Sequence, residues 1–458
     1  MKPNFSTSTC LIGILAIAPA RVARAADPPP IPDHAAHQEQ TPAIDAPSDE
    51  EPAQLSYAVP RQTLIPGTPA MPGGYHVMVN AFAHLQNVGL GSYPIENANA
   101  RVWNGGTTYP LLTGDWAMGY ARDEHGWVEG LLMLNFEPLT ISRAGIPELG
   151  QSGEGLVDAQ HSHQLIHQAM VAVHPLAGLD GWHPKSMMQE GRYDLSVFAG
   201  QGSATIGPPI FMHRASAPGP TVPRKHHKGE NPHETSPVLG AGVRVDQTSF
   251  EVSAFGALEL TPDDSRFYPH PAAPGSFAAR VRHVFGAWLE LQVSGERLRN
   301  QGHDSLDAWQ GSASAYGWGD VRGWRLDGLI DWALDVGDAD ASGNGHSAQG
   351  LLGEFAARTP NRRQIFWVRS ELNQREEPTT LGEGVSSPWL FETAGFEQVV
   401  VGGMRSGLQL GLFGEATYIN IPSSLRALYG ADSAVTVNVG LHLFGMWMFD
   451  ANLHRMNH

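Results

Sequence analysis

The sequence has a single cysteine, Cys10, among its 458 residues. One thiol excludes a disulfide framework, and a chain that avoids cysteine suits an oxidising compartment. Long apolar runs are also missing: no stretch reaches the ~18 apolar residues of a membrane-spanning helix, so helical spans are excluded. Membrane-spanning strands contain no such run, so a β-barrel remains compatible with the sequence. Basic residues are scarce, since 29 Lys and Arg stand against 46 Asp and Glu. The formal net charge of -17 therefore argues against nucleic acid as a partner, because phosphate binding needs clustered Lys and Arg.

The beginning of the chain has the features of an export signal. Lys2 supplies positive charge, and Cys10–Ala20 form an apolar core that is too short to span a membrane. Ala23 and Ala25 then place small side chains at the two positions that a signal peptidase reads. Residues 1–25 are therefore predicted to be a signal peptide, with a buried N-terminal helix as the alternative.

From residue 74 onward, short alternating segments are separated by Gly, Asp, Asn and Pro clusters, which is typical of many antiparallel strands. In Trp324–Leu334, an apolar set that includes Ile330 alternates with a polar set that includes Arg325 and Asp331. Phe250–Leu258 alternates in the same way. Period-two alternation directs one set of side chains toward an apolar medium and the other toward a polar one.

Two features favour a membrane barrel over a soluble β-sandwich, whose apolar set would face an internal core. Trp324 and Trp332 bracket an apolar stripe of about 20 Å, at ~3.3 Å per residue and a tilt of ~40°, which is close to the apolar band of an outer-membrane barrel. The connections also alternate between long ones, such as Gly200–Glu234, and tight ones, such as Asp246-Gln247. The sequence therefore predicts an all-β fold, a transmembrane antiparallel β-barrel of about 14–16 strands in residues 74–449.

A barrel of this kind is expected in the outer membrane, with outer-membrane lipid and the barrel-insertion machinery as partners. The last strand supports this location, because one face runs from Val435 to Phe449 and ends in aromatic residues, which resembles the terminal signal of such barrels. Residues 26–73 are rich in Pro, Ala, Asp and Glu and nearly free of aromatics, which predicts a disordered periplasmic tail. Residues 450–458 are predicted to be a C-terminal extension. The strands are predicted to start near Tyr75, Asp115, Gly126, His163, Gln189, Ser236, Thr248, Phe277, Gly286, Trp309, Gly323, Ser347, Arg363, Phe391, Arg405 and Ala434.

Four stretches, in order, resemble a family of largely uncharacterised bacterial outer-membrane β-barrel proteins. They are Leu132–Thr140, Val157–His163 with the pattern DxQHxH, Gly207–Ala217 with a GPxxFMHRxSA-like pattern, and the histidines His226, His227 and His233. The resemblance implies a barrel fold and an outer-membrane location, and it implies no established activity.

Histidine is the most informative polar residue, with 21 in the chain. Neutral imidazole is the commonest metal ligand, and a barrel rim can gather several of them to bind a copper or zinc ion. The alternative is that these residues are solvated, or that they order the long loops by hydrogen bonding. The candidate ligands are His161, His163, His213, His226, His227 and His233.

A second candidate metal site lies where the barrel closes. A closed barrel pairs its first and last strands, which is expected to bring His76 and Met78 near Met446 and Met448. Thioether together with imidazole is a Cu(I) preference, so this set predicts a soft-metal site. The alternative is that flexible methionines simply fill a narrow interior.

Catalytic motifs are scarce, because the sequence contains neither a G-x-S-x-G elbow nor an H-E-x-x-H motif. Asp158, His161 and Ser216 can be combined into a triad on paper, but triads are recognised by geometry rather than by spacing. Inward charged residues such as Arg369 and Glu371 are expected to form a salt-bridge network. We therefore expect a non-enzymatic barrel that handles a small solute or a metal ion, in envelope permeability or in soft-metal (copper-type) handling. The alternatives are an outer-membrane lipase or esterase and a purely structural barrel.

Overall fold

The computed structural model shows 16 strands that pair into one closed antiparallel barrel. It describes residues 74–87, 107–122, 128–135, 165–176, 193–202, 204–207, 236–256, 275–286, 288–299, 307–337, 347–361, 363–376, 386–403, 408–426 and 431–448. The strands are β1 (Gly74–Asn87), β2 (Thr107–Arg122), β3 (Val128–Asn135), β4 (Ile166–Val173), β5 (Tyr193–Gly202), β6 (Ser236–Val245), β7 (Thr248–Phe255), β8 (Ser276–Phe285), β9 (Leu289–Arg299), β10 (Asp307–Val321), β11 (Trp324–Gly337), β12 (Ser347–Arg358), β13 (Gln364–Glu376), β14 (Ser386–Gly403), β15 (Leu408–Asn420) and β16 (Ser433–Met448). Each strand pairs with its neighbours in sequence, and β1 closes on β16. The predicted antiparallel barrel is confirmed, at the upper end of the predicted strand number.

Two strands begin well before their predicted positions. β2 starts at Thr107 rather than near Asp115, and β14 starts at Ser386 rather than near Phe391. Both strands carry a proline in their early part, Pro110 in β2 and Pro388 in β14. Proline cannot donate to a strand ladder, so it hides the beginning of a strand from pattern reading. Both prolines nevertheless hold a place in the antiparallel register.

The two ends of the barrel differ in their connections. Two residues, Asp246 and Gln247, join β6 to β7, and another two, Arg322 and Gly323, join β10 to β11. Arg322 and Gly323 have φ angles of 51° and 82°. Consecutive left-handed residues suit a two-residue hairpin, because their twist matches that of the flanking strands. We call the end of the barrel that carries these two-residue connections the turn end. The opposite end, where the connections are mostly longer, is the loop end.

Most side chains that point outward from the barrel are apolar, and most of the charged side chains point inward. Ile330 and Val293 are 63% and 62% exposed, whereas the inward Asp331 and Glu371 are 0% exposed. A soluble sandwich would have the opposite arrangement, with charged side chains outside. The alternation predicted for Phe250–Leu258 holds through Phe255, the end of β7, whereas Gly256 is buried rather than exposed. The distribution is that of a transmembrane barrel.

The alternating pattern of Ala287–Ser294 predicts that Trp288 shares the inward, polar face of Glu290 and Gln292. That prediction is wrong, because the Trp288 side chain is 59% exposed. Trp288 precedes the strand, and Gly286, with a φ of 58°, has just reversed the chain. Alternation does not extend through such a turn.

Aromatic side chains on the outside form two belts. Near the turn end, the ring of Phe366 lies 6.4 Å from Trp324 and 5.0 Å from Phe396, centroid to centroid. Near the loop end, Phe277 and Trp309 meet edge to face at 6.0 Å. Paired aromatic belts at the two edges of an apolar band are the arrangement of barrels that lie in a bilayer.

The predicted signal peptide (1–25), tail (26–73) and C-terminal extension (450–458) lie outside the described residues and stay predictions. Within the described part of the chain, no helix is long and apolar enough to cross a membrane.

Candidate functional site: the charged interior of the barrel

Two arginines and two glutamates form a compact cluster on the inner wall of β7–β9. Arg280 binds the carboxylate of Glu251 through Nε at 2.8 Å and through a second nitrogen. Arg282 lies 3.2 Å from the other oxygen of Glu251 and 3.8 Å from Glu290. Glu251 is 0% exposed, so the whole cluster is withdrawn from solvent. The alternation of strand residues explains the placement, because Arg280 and Arg282 are two residues apart on one strand.

A short chain segment, Ala204–Gly207, follows β5 and folds into the barrel interior. Thr205 donates its backbone N–H to the hydroxyl of Ser253 on β7 at 3.0 Å, and Gly207 donates its N–H to Ser294 on β9 at 2.8 Å. The guanidinium of Arg280 on β8 donates to the carbonyl oxygens of Ile206, at 3.4 Å, and Gly207, at 3.0 Å. Successive residues therefore meet successive strands, which means that the segment crosses the inner wall transversely.

Apolar contacts hold the beginning of this segment. Ala204 and Ile206 pack with inward side chains of the neighbouring strands, among them Met170, Phe198 and Phe255. Ile206 is completely buried. The segment is therefore anchored by packing at one end and by Arg280 at the other, and it narrows the interior beside β7–β9.

Hydrogen bonds continue the polar network from this wall to the next. Ser312 and Ser314 of β10 donate to the side-chain oxygen of Gln292 at 3.5 and 3.0 Å. Ser312 also lies 3.3 Å from a carboxylate oxygen of Asp331 on β11. Tyr316 donates to Asp327 at 2.8 Å. The inner surface is thus a connected polar layer rather than a set of isolated groups.

The wall formed by β11–β15 is rich in carboxylates. Arg369 lies 2.9 Å from Glu371 and 3.9 Å from Glu354, and Arg325 lies 3.3 Å from Asp327. These contacts confirm the predicted salt-bridge network. Among the side chains that the structure describes on this wall, seven buried carboxylates stand against three inward arginines, an excess of four negative charges when all are ionised. They are Asp327, Asp331, Asp335, Glu354, Glu371, Glu397 and Glu415, with Arg325, Arg358 and Arg369.

The opposite wall, β5–β9, is close to neutral. Its buried carboxylates are Asp194, Glu251, Glu290 and Glu296, and its buried arginines are Arg244, Arg280 and Arg282. Four negative groups against three positive ones leave little net charge. The negative character of the described interior therefore belongs to the β11–β15 wall.

One large side chain lies flat across the acidic wall. Trp367 of β13 reaches over β14 and donates its indole N–H to Glu415 of β15 at 3.0 Å. The residue beneath it is Gly395, the Cα partner of both Trp367 and Glu415. A Cβ at Gly395 would lie 2.0 Å from the indole ring, so only glycine leaves room for this bridge.

A second inward segment lies at the loop end, after β15. Ile421 and Leu425 are completely buried and pack with the inward Trp389, Phe391 and Ile419. This segment covers the loop end of the β14–β16 wall. Together with Ala204–Gly207, it narrows the interior from two sides of the barrel.

The predicted loop histidines cannot be placed. His161, His163, His213, His226, His227 and His233 all lie outside the described residues, as do Asp158 and Ser216. Within the described ranges, no three His, Cys, Asp or Glu side chains converge to hold a metal ion.

The predicted closure site has a defined backbone register. His76 is the Cα partner of Met446, and Gly74 is the partner of Met448. Met78 is paired one step further along, with Phe444. On its other side, His76 is the Cα partner of Met118 of β2, which sequence reasoning had not included.

Sequence reasoning missed the Arg280–Glu251 cluster, the Trp367–Glu415 bridge and both inward segments. Two arginines at alternate positions of β8 were a readable signal, because residues two apart on a strand share one face and this pair opposes the apolar Val281. The segment Ala204–Gly207 carried no such signal, because a non-periodic stretch does not show which wall it meets.

No family model matches the chain, and no curated protein matches its sequence. Solved structures of similar fold include the anion-selective porin from Comamonas acidovorans, with 10% identity, a TM-score of 0.45, and 81% of this chain and 98% of the porin covered. The outer membrane channel DcaP of Acinetobacter baumannii shows 9% identity and a TM-score of 0.44, with 82% of this chain and 96% of that chain covered. OmpT of Vibrio cholerae shows 8% identity and a TM-score of 0.44, over 81% of this chain and 96% of that chain. The barrel assignment rests on strand order and closure and takes nothing from these distant likenesses.

Proposed function

We propose that this protein is an outer-membrane channel through which small hydrophilic solutes pass. The observation that carries the proposal is the combination of an apolar exterior with belts of aromatics and an interior lined by charged side chains. An apolar outside suits lipid, and a 16-stranded barrel is wide enough to enclose a water-filled path. The two inward segments make that path narrow, so selection among solutes is expected.

Cations are the favoured solutes in this proposal. The described side chains of the β11–β15 wall carry an excess of four negative charges, and Arg280 and Arg282 of the facing wall are already paired with Glu251 and Glu290. Fixed charges that line a narrow path attract counter-ions and repel ions of like charge.

We expect the purified protein to form small, cation-selective channels in a planar bilayer. Under a KCl gradient, the reversal potential should show a K⁺ to Cl⁻ permeability ratio above one. Glu397→Gln with Asp335→Asn should move the ratio toward one, because two of the seven wall carboxylates are lost. Arg358→Gln, which removes a positive charge from the same wall, is the matched control and should move the ratio the other way. Anion selectivity, or the absence of conductance from correctly folded protein, contradicts the proposal.

Two other functional classes give different results in parallel assays. Hydrolysis of an ester substrate that is abolished by Ser216→Ala would make the protein a hydrolase. A barrel with neither conductance nor turnover would be purely structural.

A second candidate function, soft-metal handling, has one observation in its favour. The backbone register makes His76 the Cα partner of both Met446 and Met118, with Met448 two residues further along β16. Imidazole and thioether residues therefore occupy adjacent register positions on three neighbouring strands. This residue combination is the one that Cu(I) prefers.

Metal binding is tested by separating the two candidate sites. Met446→Leu with Met448→Leu should lower the affinity for Cu(I) and leave Zn(II) binding intact if the closure site is used, since zinc has little use for thioether. His161→Ala with His163→Ala should lower both if the loop histidines bind. Binding should also weaken as the pH falls through about 6.5, because imidazole must be deprotonated to coordinate a metal. The metal hypothesis fails if neither Cu(I) nor Zn(II) binds more tightly than about 0.1 mM.

A further inference from the structure

One charged residue points outward from the middle of the apolar exterior. Glu392 lies on the outer face of β14, between Leu390 and Ala394 in the alternation, and its side chain is exposed. It is four residues from Phe396 of the turn-end belt. At ~3.3 Å per residue and a tilt of ~40°, this places Glu392 about 10 Å into the apolar band. Among the outward residues described between the two aromatic belts, Glu392 is the one carboxylate.

The surroundings of Glu392 provide little polar contact. Ser370 on β13 donates a hydrogen bond to it at 2.8 Å. A carboxylate accepts several hydrogen bonds, and hydrocarbon offers none, so a lipid-facing Glu392 has unused acceptor capacity at an energetic cost. Tyr418, its Cα partner on β15, is 46% exposed and carries a hydroxyl on the same outer surface.

The outer surface around this polar pair has room for a close neighbour. Ala394 and Ala416 are small, outward and exposed. Gly353 would meet nothing within 4 Å if it carried a Cβ. Small side chains let two transmembrane elements approach closely enough for side chains to hydrogen bond across the contact. We define the Glu392 patch as Gly353, Ser370, Glu392, Ala394, Ala416 and Tyr418.

We propose that the Glu392 patch is the contact surface for a second copy of this chain within the membrane. In a two-fold contact the same surface meets itself, so each residue pair occurs twice. The patch is complementary to itself in that arrangement, because it carries both hydroxyl donors, Tyr418 and Ser370, and a carboxylate acceptor. The Tyr418 hydroxyl of each copy then donates to Glu392 of the other, which removes the carboxylate from lipid.

Cysteine cross-linking in membranes tests the contact. The full chain with Ala416→Cys is treated with a short bismaleimide, and the matched control carries Val293→Cys, an outward residue of β9, which lies away from the patch. The unchanged chain, whose own thiol is Cys10, gives the background. We expect a product of twice the chain mass with Ala416→Cys and none with Val293→Cys. Equal yields from the two positions, no product, or a product of another mass overturns the proposal.

Substitutions of Glu392 separate a hydrogen-bonded contact from a merely apolar one. In the Ala416→Cys background, Glu392→Leu should lower the cross-link yield about fivefold, since a hydrogen bond in a membrane contributes a factor of that order. Glu392→Gln, which keeps the acceptor, should retain the yield. Folding of each variant is checked by its heat-modifiable migration. If Glu392 faces lipid instead, Glu392→Leu should leave the cross-link yield unchanged or raise it. Light scattering of the unchanged protein in mild detergent must also give a dimer, and a monomer refutes the contact.

Discussion

Arg280→Met is expected to release the segment Ala204–Gly207 from the inner wall and to expose it to reagents in the channel. Arg280 donates to the carbonyl oxygens of both Ile206 and Gly207, and a hydrogen bond from a charged donor contributes about 1.5–3 kcal/mol. Since 1.4 kcal/mol is a factor of ten, maleimide labelling of a Thr205→Cys probe should become at least about tenfold faster. The probe position is completely buried in the unchanged protein. The labelling rate in lipid vesicles is the measurement.

Arg282→Met is the matched control for this experiment. Arg282 belongs to the same cluster, where it contacts Glu251, Glu290 and Ser249. Both variants remove one arginine from a buried ion cluster and should lower the free energy of unfolding by about 3 kcal/mol. Only Arg280→Met should accelerate labelling. If both variants accelerate it equally, general loosening of the barrel explains the effect and the clamp by Arg280 is refuted.

Gly395→Val is expected to destabilise the barrel by about 3–5 kcal/mol. The new Cβ would lie 2.0 Å from the ring of Trp367, so the indole must leave its position over β14. Forcing extra atoms into a packed interior costs about 1–3 kcal/mol, and loss of the hydrogen bond to the Glu415 carboxylate adds about 1.5–3 kcal/mol. Unfolding by urea in lipid vesicles measures the change in the free energy of unfolding.

Gly319→Val provides the comparison, because a Cβ at Gly319 meets nothing within 4 Å. Its effect is expected to stay within about 0.5 kcal/mol, as for substitutions away from packed features. Trp367→Phe keeps an aromatic ring but loses the indole N–H and part of the ring volume, so it should fall between the two glycine variants. Similar stabilities for Gly395→Val and Gly319→Val would show that Trp367 can move without cost.

The candidate metal site where β1 pairs with β16 was predicted in part from the sequence. His76 and Met446 were expected to be neighbours because the first and last strands of a barrel must pair, and the register makes them Cα partners. The register also places Met118 of β2 beside His76. Met118 lies within the strand that was predicted to start near Asp115, but the alternation of β2 does not show which residue of β1 it pairs with.

The amino-acid sequence by itself determined the all-β class, a range of about 14–16 strands and the faces that strands such as β7 and β11 turn to lipid. Alternation along Phe250–Phe255 and Trp324–Leu334 is a local property, and an apolar surrounding medium leaves only one way to orient it. Charged residues such as Arg369 and Glu371 could therefore be assigned to the interior without knowledge of their partners.

Only the tertiary structure decided which interior groups meet. The contact of Arg280 with Gly207 joins residues 73 apart in the chain, and that of Trp367 with Glu415 joins residues 48 apart. Such contacts depend on strand register and on which loops fold inward. A shift of a strand by two residues leaves the same side chains facing inward, so a period-two pattern does not reveal the register. The segment Ala204–Gly207 has no periodic pattern. The partners of an inward charge are therefore set by the closed sheet, whereas its direction is set by the strand.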